Sequence, residues 1–275
     1  MPDPLVRLAR EELQGRPSIG VLTFDDPERL NAMTEAMGVA LADHVAALRR
    51  DTGLRAVVLT GAGRAFSAGG DLGMIGSRAT SGSVDPGGPP RRVNRDSMRA
   101  FYKLFLSIRD LPCPTVAALN GAAIGAGLCV ALACDLRVAA RDAKLGLNFT
   151  RLGIHPGMAA TWTLPRLVGP ARAAELLFTG RILNGEEAVQ IGLVNRAVPR
   201  EDVRNEALAL ARACATSAPR AVRGVKRALD RSLSVSLEDQ LSFEAERQAE
   251  CFESQDLKEG IAALREKREP VFGDE

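Results

Sequence analysis

The sequence predicts an α/β fold in which strands joined by crossovers come first and an all-helical tail follows. Three observations carry this. Short apolar runs recur in the first half: Ser18–Phe24 (SIGVLTF), Arg55–Thr60 (RAVVLT), Thr115–Leu119 (TVAAL) and Asp135–Ala140. Two of them run straight into glycine-rich turns, GAGRAFSAGGDL and NGAAIGAG. From Met158 onward helical patterns prevail.

The elements follow in order. Ser18–Phe24 ends at Asp25-Asp26-Pro27, and a helix is expected from about Thr34 to Arg50, with Met37, Leu41, Val45 and Leu48 on one face. His44 lies beside that stripe and reads as a packing or surface histidine. Residues 77–95 are rich in Gly, Pro, Ser and Arg and read as a mobile loop; Arg91, Arg92 and Arg95 within it suit phosphates, another acidic group or simply solvent. Helical periodicity resumes over Asp96–Arg109, and a small-residue helix is expected over about Ala126–Ala133. Later, Gly169-Pro170 opens a helix with proline at its first position. Asn184-Gly185-Glu186-Glu187 resembles a capping box, with Gly192 as the stop. Further helices are expected over about 201–216, 219–231, 236–252 and 256–268. The division is a core over residues 1–200 and a helical region over 201–275.

Composition excludes several classes. The formal charge of +2 argues against a dedicated nucleic-acid surface. No stretch approaches a transmembrane span, and Met1–Gly20 has no apolar signal region. Five cysteines, an odd number without a C-x-x-C, argue against a disulfide framework or a zinc site. The chain is expected to be cytoplasmic, with no structural metal, no nucleic-acid partner and no membrane partner.

The glycine-rich turns point to ligand chemistry. Small residues at strand ends let a ligand approach the backbone, and the amides of Gly125–Gly127 would stand at a helix N-terminus, where free N–H groups favour negative charge. Two such turns converging would clamp one developing oxyanion; each taken alone also suits tight packing. A dinucleotide site fits poorly, because Phe66 stands at the third glycine position after Gly61-Ala62-Gly63 and no ribose-binding acid follows. Ser67 in F-S-A-G is no hydrolase elbow, and no His/Asp set accompanies it.

Taken together, the ordered segments resemble the enoyl-CoA hydratase/isomerase (crotonase) family. They are Arg29-Leu30-Asn31-Ala32, Ala65-Phe66-Ser67-Ala68-Gly69-Gly70-Asp71-Leu72, the 120–127 run, Cys134-Asp135-Leu136, Leu152-Gly153-Ile154-His155-Pro156-Gly157, Pro165–Gly169, Phe178–Ile182, 188–194 and the tail from Asp256 to Arg268. The resemblance implies a spiral of ββα units with a helical C-terminal region that mediates trimers, often paired into hexamers. It implies an acyl-CoA substrate or ligand and no permanently bound cofactor. Oxyanion-hole amides are implied at Ala68 and Ala126, where Ala126 replaces a usual glycine. Coenzyme A contacts are implied at Arg29, Ala65, Phe66, Ala68, Gly70, Asp71 and Leu72, with Lys267 reaching a neighbouring subunit's CoA.

The family's chemistry is not fully matched. Its hydratases use two glutamates, and the matching positions hold Cys129 and Phe149. Dienoyl-CoA isomerases want an acid at the position of Gly157. Asp135 matches a structural position, while Asp110 and Asp142 read as solvated loop charges. His155 remains as the candidate acid/base of the matching loop, with a loop histidine beside Pro156 as the other reading. Cys129 reads as a buried core thiol or, less simply, a thiolate at a helix N-terminus. Two functions stay open: an enzyme with an unusual proton carrier, whether for hydration, isomerisation or thioester cleavage, and a non-catalytic acyl-CoA carrier or sensor.

Overall fold

The computed structural model describes residues 4–13, 16–80 and 91–273. Its repeating unit is a strand of one sheet, a short strand of a second sheet and then a helix. The first unit is β3 (Ala56–Gly61), β4 (Ala65–Ser67) and α2 (Leu72–Thr80) with α3 (Arg91–Leu106). The second is β5 (Thr115–Leu119), β6 (Ala122–Ile124) and α4 (Ala126–Ala133), and the third is β7 (Leu136–Ala140), β8 (Leu145–Gly146) and α5 (Ala160–Val168). Ahead of them lie β1 (Val6–Leu13), β2 (Arg16–Phe24) and α1 (Glu35–Leu48). Behind them come α6 (Pro170–Thr179), β9 (Ile182–Leu183), α7 (Gly185–Gln190), β10 (Arg196–Val198) and the helices α8 (Val203–Ala215), α9 (Pro219–Arg231), α10 (Leu237–Phe252) and α11 (Gln255–Glu266).

The larger sheet runs β1-β2-β3-β5-β7-β10 and the smaller β4-β6-β8-β9. From β2 to β10 every pairing of the larger sheet is parallel. Its central strands are buried on both faces, which is why they read as unbroken apolar runs rather than alternating ones. Strand β1 is antiparallel to β2 and half exposed, and its sequence VRLAREEL alternates too weakly to announce a strand. Helix α1 starts where expected: the Thr34 hydroxyl accepts the Met37 N–H, and Met37, Leu41, Val45 and Leu48 are buried. His44 packs against β1, its Nε2 3.1 Å from the Val6 carbonyl. The capping box at Asn184 and Glu187 forms with both reciprocal bonds.

Part of the expected 77–95 loop is helical. Helix α2 runs to Thr80 and α3 begins at Arg91, so Arg91, Arg92 and Arg95 stand on a helix; the rest of that loop, 81–90, lies outside the described residues. Helix α8 buries Val203, Ala207, Leu208, Ala211 and Ala215 against β3 and β5 and so belongs with the larger sheet. Several large exposed apolar side chains lie on α9 to α11 and their junctions, among them Val225, Leu229, Leu233, Leu237, Leu241, Phe252 and Leu264, while others, such as Leu72, Trp162 and Phe178, lie elsewhere. No helix among the described residues is long and apolar enough to cross a membrane.

Candidate active site

The site is built at the ends of the first two units, where β4 and β6 lie side by side. Asn31 fixes the first turn. It is fully buried at φ 55°, its Oδ1 accepts the Asp26 N–H at 2.9 Å, and its Nδ2 donates to the Ala62 and Ala65 carbonyls at 3.0 and 2.9 Å. The Ser67 hydroxyl donates to the Asn31 carbonyl at 2.7 Å and accepts the Gly69 N–H at 3.1 Å, which makes Ser67 a brace and not a nucleophile. Asn120, at the second turn, donates from Nδ2 to the carbonyls of Gly61 and Gly63 and ties the two turns together.

The Ala68 amide donates to the Leu30 carbonyl at 2.9 Å and is therefore engaged within the fold. This corrects the expectation that Ala68 offers its N–H to a ligand. The amide that points elsewhere belongs to Gly70. A bridge to Met33 uses the Gly69 carbonyl (2.7 Å) and the Asp71 N–H (3.3 Å), and in such a parallel bridge the intervening Gly70 N–H faces the opposite side.

Gly69, at φ 95°, lies against the second turn: a Cβ on it would stand 3.5 Å from the Ala126 nitrogen. Ala126 is the first residue of α4, after Gly125 at φ 53° and ψ −118°, a backbone conformation open to glycine. Cys129 N–H makes the first helical bond back to Gly125 O, which leaves the Ala126, Gly127 and Leu128 amides as the unmatched donors of the helix start. Among the described residues neither the Gly70 nor the Ala126 amide has a protein acceptor. Gly127 makes this closeness possible, since a Cβ there would lie 2.8 Å from Ser67 Cβ.

The remaining wall is apolar. Phe149 is 9 % exposed, and its ring reaches to 3.8 Å from the Cβ direction of Gly125, with Asn148 Oδ1 at 3.7 Å. Cys129 is buried with Sγ 3.7 Å from the Gly157 carbonyl, and burial pushes its thiol up, so it stays protonated and offers no thiolate. His155 is exposed, and its Nδ1 lies 2.7 Å from the Pro156 carbonyl. That contact matches the loop-histidine reading and turns this nitrogen to the backbone. A group missed by sequence reasoning stands on the same side as Cys129. The Tyr102 ring, from α3, lies against Gly157, with Cζ and Cε1 2.7 and 3.2 Å from where a Cβ would be and the hydroxyl nearer still. Tyr102 is the only tyrosine of the chain, and its partner lies far away in sequence, so no local pattern revealed it.

The other expected ligand-binding residues divide. Ala65 and Phe66 are buried: the Ala65 carbonyl accepts from Asn31, and Phe66 packs edge-on against Phe24 at 5.6 Å. Their side chains lie in the core. Asp71 accepts the Met74 N–H at the start of α2. Leu72 is 72 % exposed. Arg29 is exposed and paired with Asp26 at 2.6 Å, which raises its pKa. Lys267 is exposed and ends α11 in the left-handed conformation. Arg91, Arg92, Asn94, Arg95 and Met98 line an open cleft of about 660 Å³ at the start of α3. Asp135 is structural, as its position implied: its Oδ2 accepts from Thr115 N–H, Thr115 Oγ1 and Lys226 Nζ.

Two interleaved sheets, with paired glycine turns at their junction, define the fold class. The comparisons agree: the pattern of the enoyl-CoA hydratase/isomerase family matches residues 14–275, and the chain belongs to that family. It is 37% identical over 251 residues to 1,2-epoxyphenylacetyl-CoA isomerase of Escherichia coli, covering 91% of this chain and 93% of that protein. It is 33% identical over 261 residues to crotonyl-CoA hydratase of Syntrophomonas wolfei, covering 94% and 96%. Among solved structures, an enoyl-CoA hydratase from a Polaromonas species superposes with TM-score 0.88 at 30% identity, covering 98% of this chain and 99% of that one. One from Bacillus anthracis gives 0.86 at 33%, with the same coverage. The spiral of ββα units with a helical C-terminal region is thus the crotonase fold, and the family acts on CoA thioesters without a permanently bound cofactor.

Proposed function

We propose that this protein is an acyl-CoA enzyme of the hydratase/isomerase class that holds the thioester oxygen between the Gly70 and Ala126 amides. The observation that carries this is the pair of backbone donors without protein acceptors on two turns in contact. Donors fixed before the reaction stabilise an enolate oxygen without reorganising, and the dipole of α4 adds to them. Exposed Arg29 and Lys267 suit the CoA phosphates, Lys267 from a neighbouring subunit. The exposed apolar residues of α9 to α11 support a trimer or a pair of trimers, which light scattering tests against a monomer. Isothermal calorimetry with butyryl-CoA tests the central reading. Saturable binding that is weakened by Gly70→Val is expected, and a folded protein without CoA-thioester affinity overturns it.

A second reading has its own observation. By the family resemblance, the buried Phe149 and the protonated Cys129 fall where its hydratases carry glutamates, which suits a carrier or sensor that binds acyl-CoA without turnover. Mass spectrometry of an acyl-CoA panel separates the two: binding without any product supports the carrier.

A further inference from the structure

We propose that Asn148 selects the acyl group: its carboxamide binds an oxygen carried at C3 of the acyl chain, a hydroxyl or an oxo group, and so the site favours such thioesters over plain hydrocarbon acyl groups. This role rests on the acyl-CoA reading, with the thioester oxygen held by the Gly70 and Ala126 amides. The placement of Asn148 is fixed through Gly125, the residue before Ala126. A Cβ on Gly125 would lie 3.7 Å from Asn148 Oδ1, and 3.8 and 3.9 Å from Cζ and Cε1 of Phe149. Standard bond lengths keep a Cβ within about 3.5 Å of the next residue's nitrogen, so Asn148 Oδ1 lies within about 7 Å of the Ala126 nitrogen. That gap suits a thioester oxygen bonded to the Ala126 amide and, a few bonds along the same acyl chain, a C3 oxygen bonded to Asn148.

The backbone that carries Asn148 is pinned. Asn148 opens a short 3-10 helix, Asn148–Leu152. Its Cα would lie 3.2 Å from a Cβ on Gly180, so the two chains touch there. Thr150 Oγ1 donates to the Leu177 carbonyl at 2.9 Å, and Arg151 Nε to the Thr179 carbonyl at 2.7 Å. The Gly125 N–H donates to the Gly146 carbonyl at 2.7 Å, which ties the oxyanion turn to the same segment. The side chain itself is uncommitted: Asn148 is half-buried, and its carboxamide bonds to no other described residue. The polar groups around it are engaged. Ser67 braces Asn31 and Gly69, Thr150 holds Leu177, and Cys129 faces the Gly157 carbonyl. A carboxamide can both donate and accept. A hydrocarbon C3 placed against it displaces water and returns no hydrogen bond, whereas a C3 oxygen restores one. The Phe149 ring beside it gives the rest of the chain an apolar surface.

The test is calorimetry on the full-length protein with butyryl-CoA, 3-hydroxybutyryl-CoA and acetoacetyl-CoA as probes. The parent is expected to bind at least one of the two C3-oxygen thioesters about fivefold to tenfold tighter than butyryl-CoA. Asn148→Leu keeps the size of the side chain and removes its hydrogen bonds; the preference is expected to vanish while circular dichroism stays that of the parent. Asn148→Ala serves in its place if the leucine variant does not fold. A merely structural asparagine would weaken all three ligands alike and leave their ratio unchanged. Asn148→Asp keeps an acceptor and loses the amide donor, so it separates the two sources. A preference for 3-hydroxybutyryl-CoA that survives it assigns a hydroxyl, and a preference for acetoacetyl-CoA that it abolishes assigns an oxo group. Equal affinity of the parent for all three thioesters overturns the proposal, as does a preference that persists in folded Asn148→Leu or Asn148→Ala. A parent protein that binds none of the three removes the acyl-CoA reading, and the role of Asn148 with it.

Discussion

Tyr102 and Gly157 are fitted to each other: the tyrosine ring stands 2.7 Å (Cζ) and 3.2 Å (Cε1) from the Cβ that any other residue at 157 would carry. Gly157→Ala must therefore displace the ring or the loop, and it is expected to destabilise the fold by about 1–3 kcal/mol. Urea unfolding measures this. Adding Tyr102→Leu should recover most of the loss, and a Gly157→Ala variant as stable as the parent would show that the ring is not held there.

Asn31→Ala removes the acceptor of the Asp26 N–H and the donor to two carbonyls, all in a buried turn. Unmatched groups of this kind cost about 1–3 kcal/mol each, so a total loss of roughly 2–4 kcal/mol is expected. Because the same turn aims Gly70, butyryl-CoA binding should weaken in parallel, which calorimetry on the folded variant checks.

Stability should fall on the alkaline side. Burial raises the Cys113 thiol to about 11 and the Cys134 thiol to about 12, and pushes Cys129 up as well. In the unfolded chain these thiols ionise near pH 8.5, so they stabilise the fold fully below that value. As pH rises from 9 to 11 the unfolded state loses protons first, and each thiol contributes a decline of roughly 1.4 kcal/mol per pH unit. Urea midpoints at pH 8, 9 and 10 should show a decline that is shallower in Cys134→Ala, and identical slopes in both proteins would remove this cause.

Crotonyl-CoA hydration should be far slower than in a hydratase with both glutamates. Positioned general acids and bases each contribute about a hundredfold or more, and Cys129 and Phe149 supply neither. Spectrophotometric turnover at an ordinary hydratase rate would show that another group activates the water.

Much of this architecture was legible because its signals are local. The runs 115–119 and 18–24, the Thr34 cap, the Asn184–Glu187 box and the four C-terminal helices each announce themselves within a few residues, and all lie within about two residues of the expected bounds. Strands β4, β6 and β8 were hidden, because two or three residues are too few to carry a periodicity and are strands only by pairing with one another. The helix start at Ala126 was legible because it follows a glycine run. Ala68 was misread, because the acceptor that engages its amide, Leu30 O, comes from a left-handed turn distant in sequence. Tyr102 escaped for the same reason: its relation to Gly157 exists only once α3 has folded over α4.

The two-amide clamp is tested most directly by deleting one N–H without disturbing the helix that carries it. Ala126 is the first residue of α4, where proline is tolerated because the N–H has no partner within the helix. Infrared difference spectra of butyryl-CoA labelled with 13C at the thioester carbonyl should show a lowered carbonyl stretch on binding to the parent protein. In Ala126→Pro, with unchanged circular dichroism, that lowering should shrink and turnover should fall by about a hundredfold or more. A folded Ala126→Pro protein with the parent's carbonyl shift and the parent's turnover would contradict the account.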